Sequence, residues 1–396
     1  MRIAELRTFV VGNPPPSFGG RYFVFLTLTT DDGVKGVGEV YAATFHPRAL
    51  EAMIADVFER HVAGADPFAI ETLVHRISAR GYSGRPDLSL MGVVSGIELA
   101  CWDIIGKAVG RPVVDLLGGR VHERIRTYTY LYTEPGDPAD VYTDPDLAGE
   151  RAAAYAAQGF TALKFDPLGP YSAFDPRQPS LEALARTEAY VARVREAVGD
   201  RCDLLVGTHG QLTPGGAIRL ARRLERYDPL WLEEPVPPAS PEQMAKVARA
   251  TTIPIATGER LTTKHEFLRV LATGAAGILQ PNLGRVGGLL EAKKIAALAE
   301  AHYAQIAPHL YCGPVVGAAN IQLAAGSPSF LILEGIGRWD GFHAEILRRP
   351  IQWEDGYVIP STEPGLGVEL DEDVALRHPY DGDDLHLTPA DVAIVG

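Results

Sequence analysis

From residue 125 onward the chain repeats one unit, and few folds accept that rhythm. A short apolar run is followed by an amphipathic helical pattern, at intervals of roughly 25–45 residues. The runs read IRTYTYLY from Ile125, TALKFDP from Thr161, DLLVGTHG from Asp203 and LWLEEP from Leu230. They continue with IPIATGE from Ile253, GILQPN from Gly277, AQIAPHL from Ala304 and FLILEG from Phe330. Between them lie helical stretches such as LEALARTEAYVARVREAVG, AIRLARRLERY and LLEAKKIAALAEAHY. Repeated βα units imply a parallel sheet covered by helices. Eight of them over about 210 residues match a closed (β/α)8-type barrel of the α/β class. An open doubly wound sheet would carry a glycine-rich phosphate turn after its first strand, and none is present.

Residues 1–124 read as a separate α+β unit. Residues 21–28 and 33–40 are β-rich, and Thr30-Asp31-Asp32-Gly33 between them has hairpin turn chemistry. Helical spacing of apolar residues then covers 48–63, 67–80 and 91–109. The barrel is expected over 125–340. The turn-rich tail, 341–396, is expected to pack back on the N-terminal unit and complete a cap. The loop Asn13–Arg21, with three prolines and two glycines, has the punctuation of a lid.

A net charge of −13 gives no basic face for nucleic acid. No apolar run approaches the roughly 18–20 residues that span a bilayer, so no membrane association is expected. The first residues lack a signal-peptide core. The three cysteines are an odd number in scattered apolar contexts, which disfavours a disulfide framework. Together these features describe a cytoplasmic protein.

In such a barrel, chemistry collects at the C-terminal ends of the strands. Those ends carry Lys164 and Asp166, Gly207 and His209, Glu233 and Glu234, Glu259, Asn282, His309 and Glu334. Charge is costly inside strands, so this succession marks a common active site. Glu233 and Glu259 on adjacent strands would repel each other without a positive charge between them. Mg²⁺ suits oxygen ligands and leaves room for water and substrate. Pairing of each glutamate with Arg260 or Lys264 is the structural alternative.

The motifs Glu-Glu-Pro, Gly-Glu, Pro-Asn…Val-Gly-Gly and Pro-His at these ends resemble the mandelate racemase branch of the enolase superfamily. Gly36-Val37-Gly38-Glu39, SGIELACWDIIGK (95–107) and Leu116-Leu117-Gly118-Gly119 extend the resemblance over nearly the whole chain. It implies a capping domain, a modified TIM barrel, a homo-oligomer, Mg²⁺, and abstraction of the proton α to a carboxylate of a small-molecule substrate. Glu233 and Glu259 would be metal ligands, Lys164 the first lysine of a strand-two Lys-x-Lys, and His309 the strand-seven histidine. Glu334 matches a strand-eight carboxylate that binds the substrate carboxyl or stabilises the intermediate. Arg21, Tyr41, His46 and Arg85 on the cap would contact substrate hydroxyls or a distal group.

Three positions depart from the family pattern. Gly207 stands where the first metal ligand, an aspartate, is expected. His209 follows on the same side of the strand and is either a replacement ligand or the acid for a leaving β-hydroxyl, as in several sugar-acid dehydratases. An imidazole ligand would tilt the site towards Mn²⁺ or another transition metal. Asn282 replaces the aspartate that usually supports His309, which favours an acid role for that histidine. Asp166 replaces the second lysine, leaving Lys164 as base if burial or the metal lowers its pKa, or as a charged partner of Asp166 that holds the substrate. The resemblance therefore points to a metal-dependent dehydratase converting an aldonic or aldaric acid to a 2-keto-3-deoxy acid. A racemase, epimerase or cycloisomerase is the rival enzyme, and a metal-free carboxylate-binding barrel the rival of another class.

Overall fold

The computed structural model describes residues 1–42, 45–79, 85–169 and 176–387. The centre of the loop at 41–46 and the last nine residues of the tail lie outside it. Strands β1 (Ile3–Gly12), β2 (Tyr22–Thr30) and β3 (Lys35–Val40) form an antiparallel sheet in that order. The expected hairpin joins β2 and β3, with Gly33 at φ +87° and its N–H on the Thr30 carbonyl. β1 was not evident in the sequence, because Ala4–Thr8 at the sheet edge are not buried and show no alternation.

Helices Pro47–Val57 and Ile70–Ser78 cover two of the expected segments. The second starts later than its periodicity suggests, because Asp66–Ala69 close a turn first. Helix Leu88–Val109 starts earlier than expected, because the Asp87 carboxylate caps the N–H groups of Ser89 and Leu90. At 22 residues, with a mean hydropathy of 1.6 over an 18-residue window, it is long and apolar enough to cross a membrane, which corrects the expectation that no apolar run reaches that length. Of its apolar window 83% is buried in the fold. Burial is that complete because a Cβ on Gly38 would overlap the carbonyl of Gly96, so only glycine lets β3 and the helix approach so closely.

Eight parallel strands follow: β4 (Ile125–Tyr130), β5 (Ala162–Phe165), β6 (Asp203–Gly207), β7 (Trp231–Glu233), β8 (Ile255–Thr257), β9 (Ile278–Leu279), β10 (Gln305–Ile306) and β11 (Leu333–Glu334). β4 to β10 pair in sequence. A parallel bridge from Ile306 to Phe330 and the pairing of β11 with β4 close the ring. The tail then adds the hairpin of β12 (Gln352–Glu354) and β13 (Tyr357–Ile359), and β13 pairs antiparallel with β4. Further along it bridges Pro112 through Gly365 and Val11 through Pro379, so it touches both barrel and cap.

Three buried acids fasten these parts together. Glu39 at the end of β3 accepts the N–H groups of Gly313 and Val316, where helix Pro314–Ala325 begins. Glu98 accepts those of Leu289 and Leu290, where helix Leu289–Ala301 begins, and the Trp102 indole N–H. Asp103 takes the N–H groups of Val37 and Leu366. A carboxylate at a helix N-terminus meets unpaired donors and the positive end of the helix dipole.

Burial pushes the Glu98 carboxyl up from 4.5 to about 7, against the pull of its backbone donors. A folded pKa raised above the unfolded one gives stability that is present below pH 4.5 and lost as pH rises through 7. Glu98→Gln should lack this loss. Urea titrations from pH 4.5 to 7 should show wild type losing up to about 3 kcal/mol relative to the variant. Stability curves that run parallel over that range would refute the assignment.

Candidate active site

Side chains along a strand alternate between the two faces of a sheet, so residues two apart share a face. Tyr128, Ala162, Leu205, Trp231, Ala256, Ile278, Ala307 and Ile332 pack into one buried apolar cluster that floors the barrel. Two residues further towards the C-terminal ends stand Tyr130, Lys164, Gly207, Glu233, Gly258, Gln280, His309 and Glu334. The barrel interior thus changes from oil to charge within one step of the pleat.

Lys164 is fully buried and its ammonium lies 2.6 Å from Glu233 Oε1 and 3.3 Å from Glu334 Oε1. Asp166 is not its partner. Burial alone would drive the proton off Lys164, but the charges of Glu233 and Glu334 outweigh it and raise its pKa well above the lysine range. The ring of Tyr130 lies 4.8 Å from the ammonium. Glu233 Oε2 is fixed from the other side by the Gln280 amide at 2.7 Å and the Trp231 indole N–H at 3.1 Å. Gln280 had no signal in the sequence beyond its place at a strand end. Neither metal-ligand glutamate expected from the sequence pairs with Arg260 or Lys264, which bind Glu234 and Glu291 instead.

His309 Nε2 lies 3.2 Å from Glu259 Oε2 and 3.9 Å from Glu334 Oε2. Its other nitrogen, Nδ1, is 2.9 Å from the Asn282 amide nitrogen. The Asn282 oxygen is taken by the Gly284 N–H at 2.8 Å, so the amide must present its NH₂ to the ring. Nδ1 is then an acceptor, and the proton of the neutral imidazole sits on Nε2, facing the two glutamates. Burial opposes the charge of Glu259, but His309, His209 and Lys164 hold its carboxyl well below the usual range.

His209 is not on the strand as expected but in a turn past β6, at φ +47°, and its Nδ1 is 3.5 Å from Oδ2 of Asp166, which follows β5. Burial works against protonation of His209, but Asp166 and Glu259 raise its pKa overall. A Cβ on Gly207 would overlap Asp166 Oδ1, so the bare position on β6 is filled by a carboxylate from β5. As they stand, no three His, Cys, Asp or Glu side chains among the described residues close around one point. Glu233, Glu259 and His209 are therefore not gathered at ligand distance. The donor set still fits a hard divalent cation. Asp166 Oδ1 and Glu234 Oε1 are buried without a hydrogen-bond donor, and Glu259 Oε2 has only the off-line His309 beside it. Asp166, Glu233, Glu234, Glu259 and Glu334 bring five carboxylates against the positive charges of Lys164 and Arg260.

Of the cap residues, Tyr41 reaches this region. It is buried, roughly parallel to the His309 ring with centroids 6.1 Å apart, and carries the Arg285 guanidinium 3.7 Å from its own ring centroid. Arg285 is 7% exposed, its Nε has no hydrogen-bond partner, and sequence reasoning passed over it between Asn282 and Val286. His386 from the tail packs edge-on against Tyr41. Arg21 is instead committed to the tail, 3.4 Å from Asp384, and His46 caps its own helix while meeting the Gly382 carbonyl. Arg85 is exposed. The lid loop is held from within by Asn13, whose amide donates to the Phe18 and Gly20 carbonyls.

The amide-imposed tautomer of His309 is open to direct observation. Ring ¹⁵N shifts of histidine-labelled protein should show Nδ1 bare and Nε2 protonated. Asn282→Asp should reverse this, since a carboxylate accepts from Nδ1–H. Wild type with a protonated Nδ1 would sink the assignment.

Residues 147–374 match the enolase C-terminal domain-like family, and residues 16–118 the mandelate racemase/muconate lactonizing enzyme N-terminal domain. The chain is similar to D-galactonate dehydratase of Verminephrobacter eiseniae, 36% identical over 96% of this chain and 95% of that one. A protein from Labrenzia alexandrii DFL-11 classed with the mandelate racemase/muconate lactonizing enzymes is 63% identical, with a TM-score of 0.96 and 98% of each chain covered. A mandelate racemase/muconate lactonizing enzyme from Sulfitobacter sp. is 51% identical, again with a TM-score of 0.96 over 98% of each chain. With its barrel, its cap and its ring of acids and bases at the strand ends, the chain belongs to the mandelate racemase branch of the enolase superfamily.

Proposed function

We propose that this enzyme dehydrates a sugar acid, an aldonic or aldaric acid, to its 2-keto-3-deoxy product. The observation that carries the reading is the arrangement around Glu334. Lys164 meets one of its oxygens and His309 approaches the other, while His209 stands beside Asp166 nearby. A substrate lying across these groups meets proton acceptors and donors at adjacent carbons. The relatives named D-galactonate dehydratase support the same chemistry.

A divalent cation, Mg²⁺ or Mn²⁺, would be held by Glu233 and Glu259. When bound, it supplies the positive charge that a substrate carboxylate needs as its α-proton leaves. Lys164 takes that proton. It can do so only once the charge of Glu233 is engaged elsewhere, since that charge holds the ammonium protonated. His209, its pKa raised beside Asp166, gives its proton to the β-hydroxyl, which leaves as water. The enol that remains becomes the keto acid. His309 presents an N–H at Nε2 rather than a lone pair, which suits it to donate to the substrate. Tyr41 and Arg285 form the wall towards the cap. We place the enzyme in the cytoplasm.

Incubation of the purified protein and Mg²⁺ with a panel of aldonic and aldaric acids, D-galactonate included, should release a 2-keto-3-deoxy acid, read as its semicarbazone. Lys164→Ala should lower kcat on the order of 10²–10⁴-fold, the range lost with a general base. Exchange of the α-proton for solvent deuterium with no keto acid from any substrate would replace this reading by the isomerase one.

A further inference from the structure

The polar layer of the barrel has a gap. Its β6 position is Gly207, which has no side chain to offer, while its register partner on β7 is Glu233 and Lys164 on β5 is paired with Leu205. That gap is not empty. Asp166 stands next after Phe165, whose register partner is Val206, so Asp166 and Gly207 lie level on adjacent strands. Its Oδ1 lies within bonding reach of where a Cβ of residue 207 would be. The carboxylate has thus crossed from β5 into the place of a β6 side chain.

We propose that Asp166 is the third carboxylate ligand of the divalent cation, delivered from β5 because Gly207 has vacated β6. This rests on the metal-dependent reading above. Three observations support it. Oδ1 is buried with no hydrogen-bond donor, an expensive state for a carboxylate oxygen unless a cation completes it. The second oxygen is turned to His209, so the carboxylate is oriented with one oxygen free. Gly207 is the register partner of Glu233, so a carboxylate standing in its place lies beside that candidate ligand. All three candidate ligands are then oxygens, which suits Mg²⁺, and His209 is released from the ligand role for proton transfer. Substitutions at 166 and 207 are thereby coupled: any side chain at 207 displaces the carboxylate, and any neutral residue at 166 leaves that place without charge.

Mn²⁺ binding by titration calorimetry and metal content, on the full chain, tests this without reference to turnover. Wild type should bind about one ion per chain. Asp166→Ala should weaken binding by more than the ~10–100-fold that loss of an outer partner costs. His209→Ala should stay within that lesser range. Gly207→Asp alone should bind weakly, because two carboxylates compete for one place. The double variant Asp166→Ala with Gly207→Asp should regain affinity to within about tenfold of wild type, since the carboxylate returns to the same point from β6. Thermal midpoints without metal establish that each variant is folded, and a variant that is unfolded is replaced by Asp166→Asn. Binding unchanged in Asp166→Ala or Asp166→Asn overturns the assignment and leaves the metal-dependent reading standing. Failure of the double variant to recover, or loss of binding in His209→Ala alone, also overturns it. Wild type that binds no ion sinks both.

Discussion

Burying Lys164 completely commits the barrel to a chain of further requirements. An ammonium without water needs counter-charges, and it has Glu233 and Glu334 at 2.6 and 3.3 Å. Those carboxylates need donors of their own, which come from Gln280, the Trp231 indole and the Leu310 backbone N–H. The network therefore draws on β5, β7 and β11 and on the segments that follow β9 and β10. Slipping any of these strands by one residue would send its polar side chain to the helical side and an apolar one into the centre. The register of the barrel and the composition of its mouth are one problem with one solution.

Two histidines at this mouth are oriented by opposite means. Asp166 beside His209 favours the imidazolium. Asn282 beside His309 offers only N–H, so that ring is fixed with Nδ1 as acceptor and Nε2 turned to the glutamates. An amide and a carboxylate of nearly the same shape thus present a donor to one ring and an acceptor to the other. Donors and acceptors are thereby held at distinct points within one small volume.

Much of this was legible in the sequence. The βα rhythm from Ile125 and the polar residues closing each run gave the barrel and the mouth, because a period of two and a period of 3.6 leave different marks. β1 was invisible because an edge strand with a half-exposed centre has no alternation to read. The apolar helix from Leu88 was undercounted because Glu98 and Asp103 interrupt it, and both turn out to be buried fasteners. Pairing was less legible than position. Lys164 and Asp166, two apart in sequence, suggest an ion pair, whereas Lys164 finds its partners on β7 and β11 and Asp166 meets His209 in the turn past β6. Arg285 and Gln280 carried no periodicity, and Arg21 and His46 looked like substrate contacts because nothing in sequence reveals a tail folding over them.

The fasteners have a consequence for how such a protein can change. Helices Leu289–Ala301 and Pro314–Ala325 of the barrel borrow their N-terminal caps from Glu98 and Glu39, which belong to the other half of the chain. The border near residue 124 separates two topologies but not two independently tradable modules. A cap exchanged with a relative's would have to arrive with both glutamates in register, or two barrel helices would begin with bare N–H groups in the interior. Variation is thereby channelled into the loops at the barrel mouth and away from the long helix and the strand beside it. The same carboxylates that tie the halves together define which parts of the molecule are free to diverge.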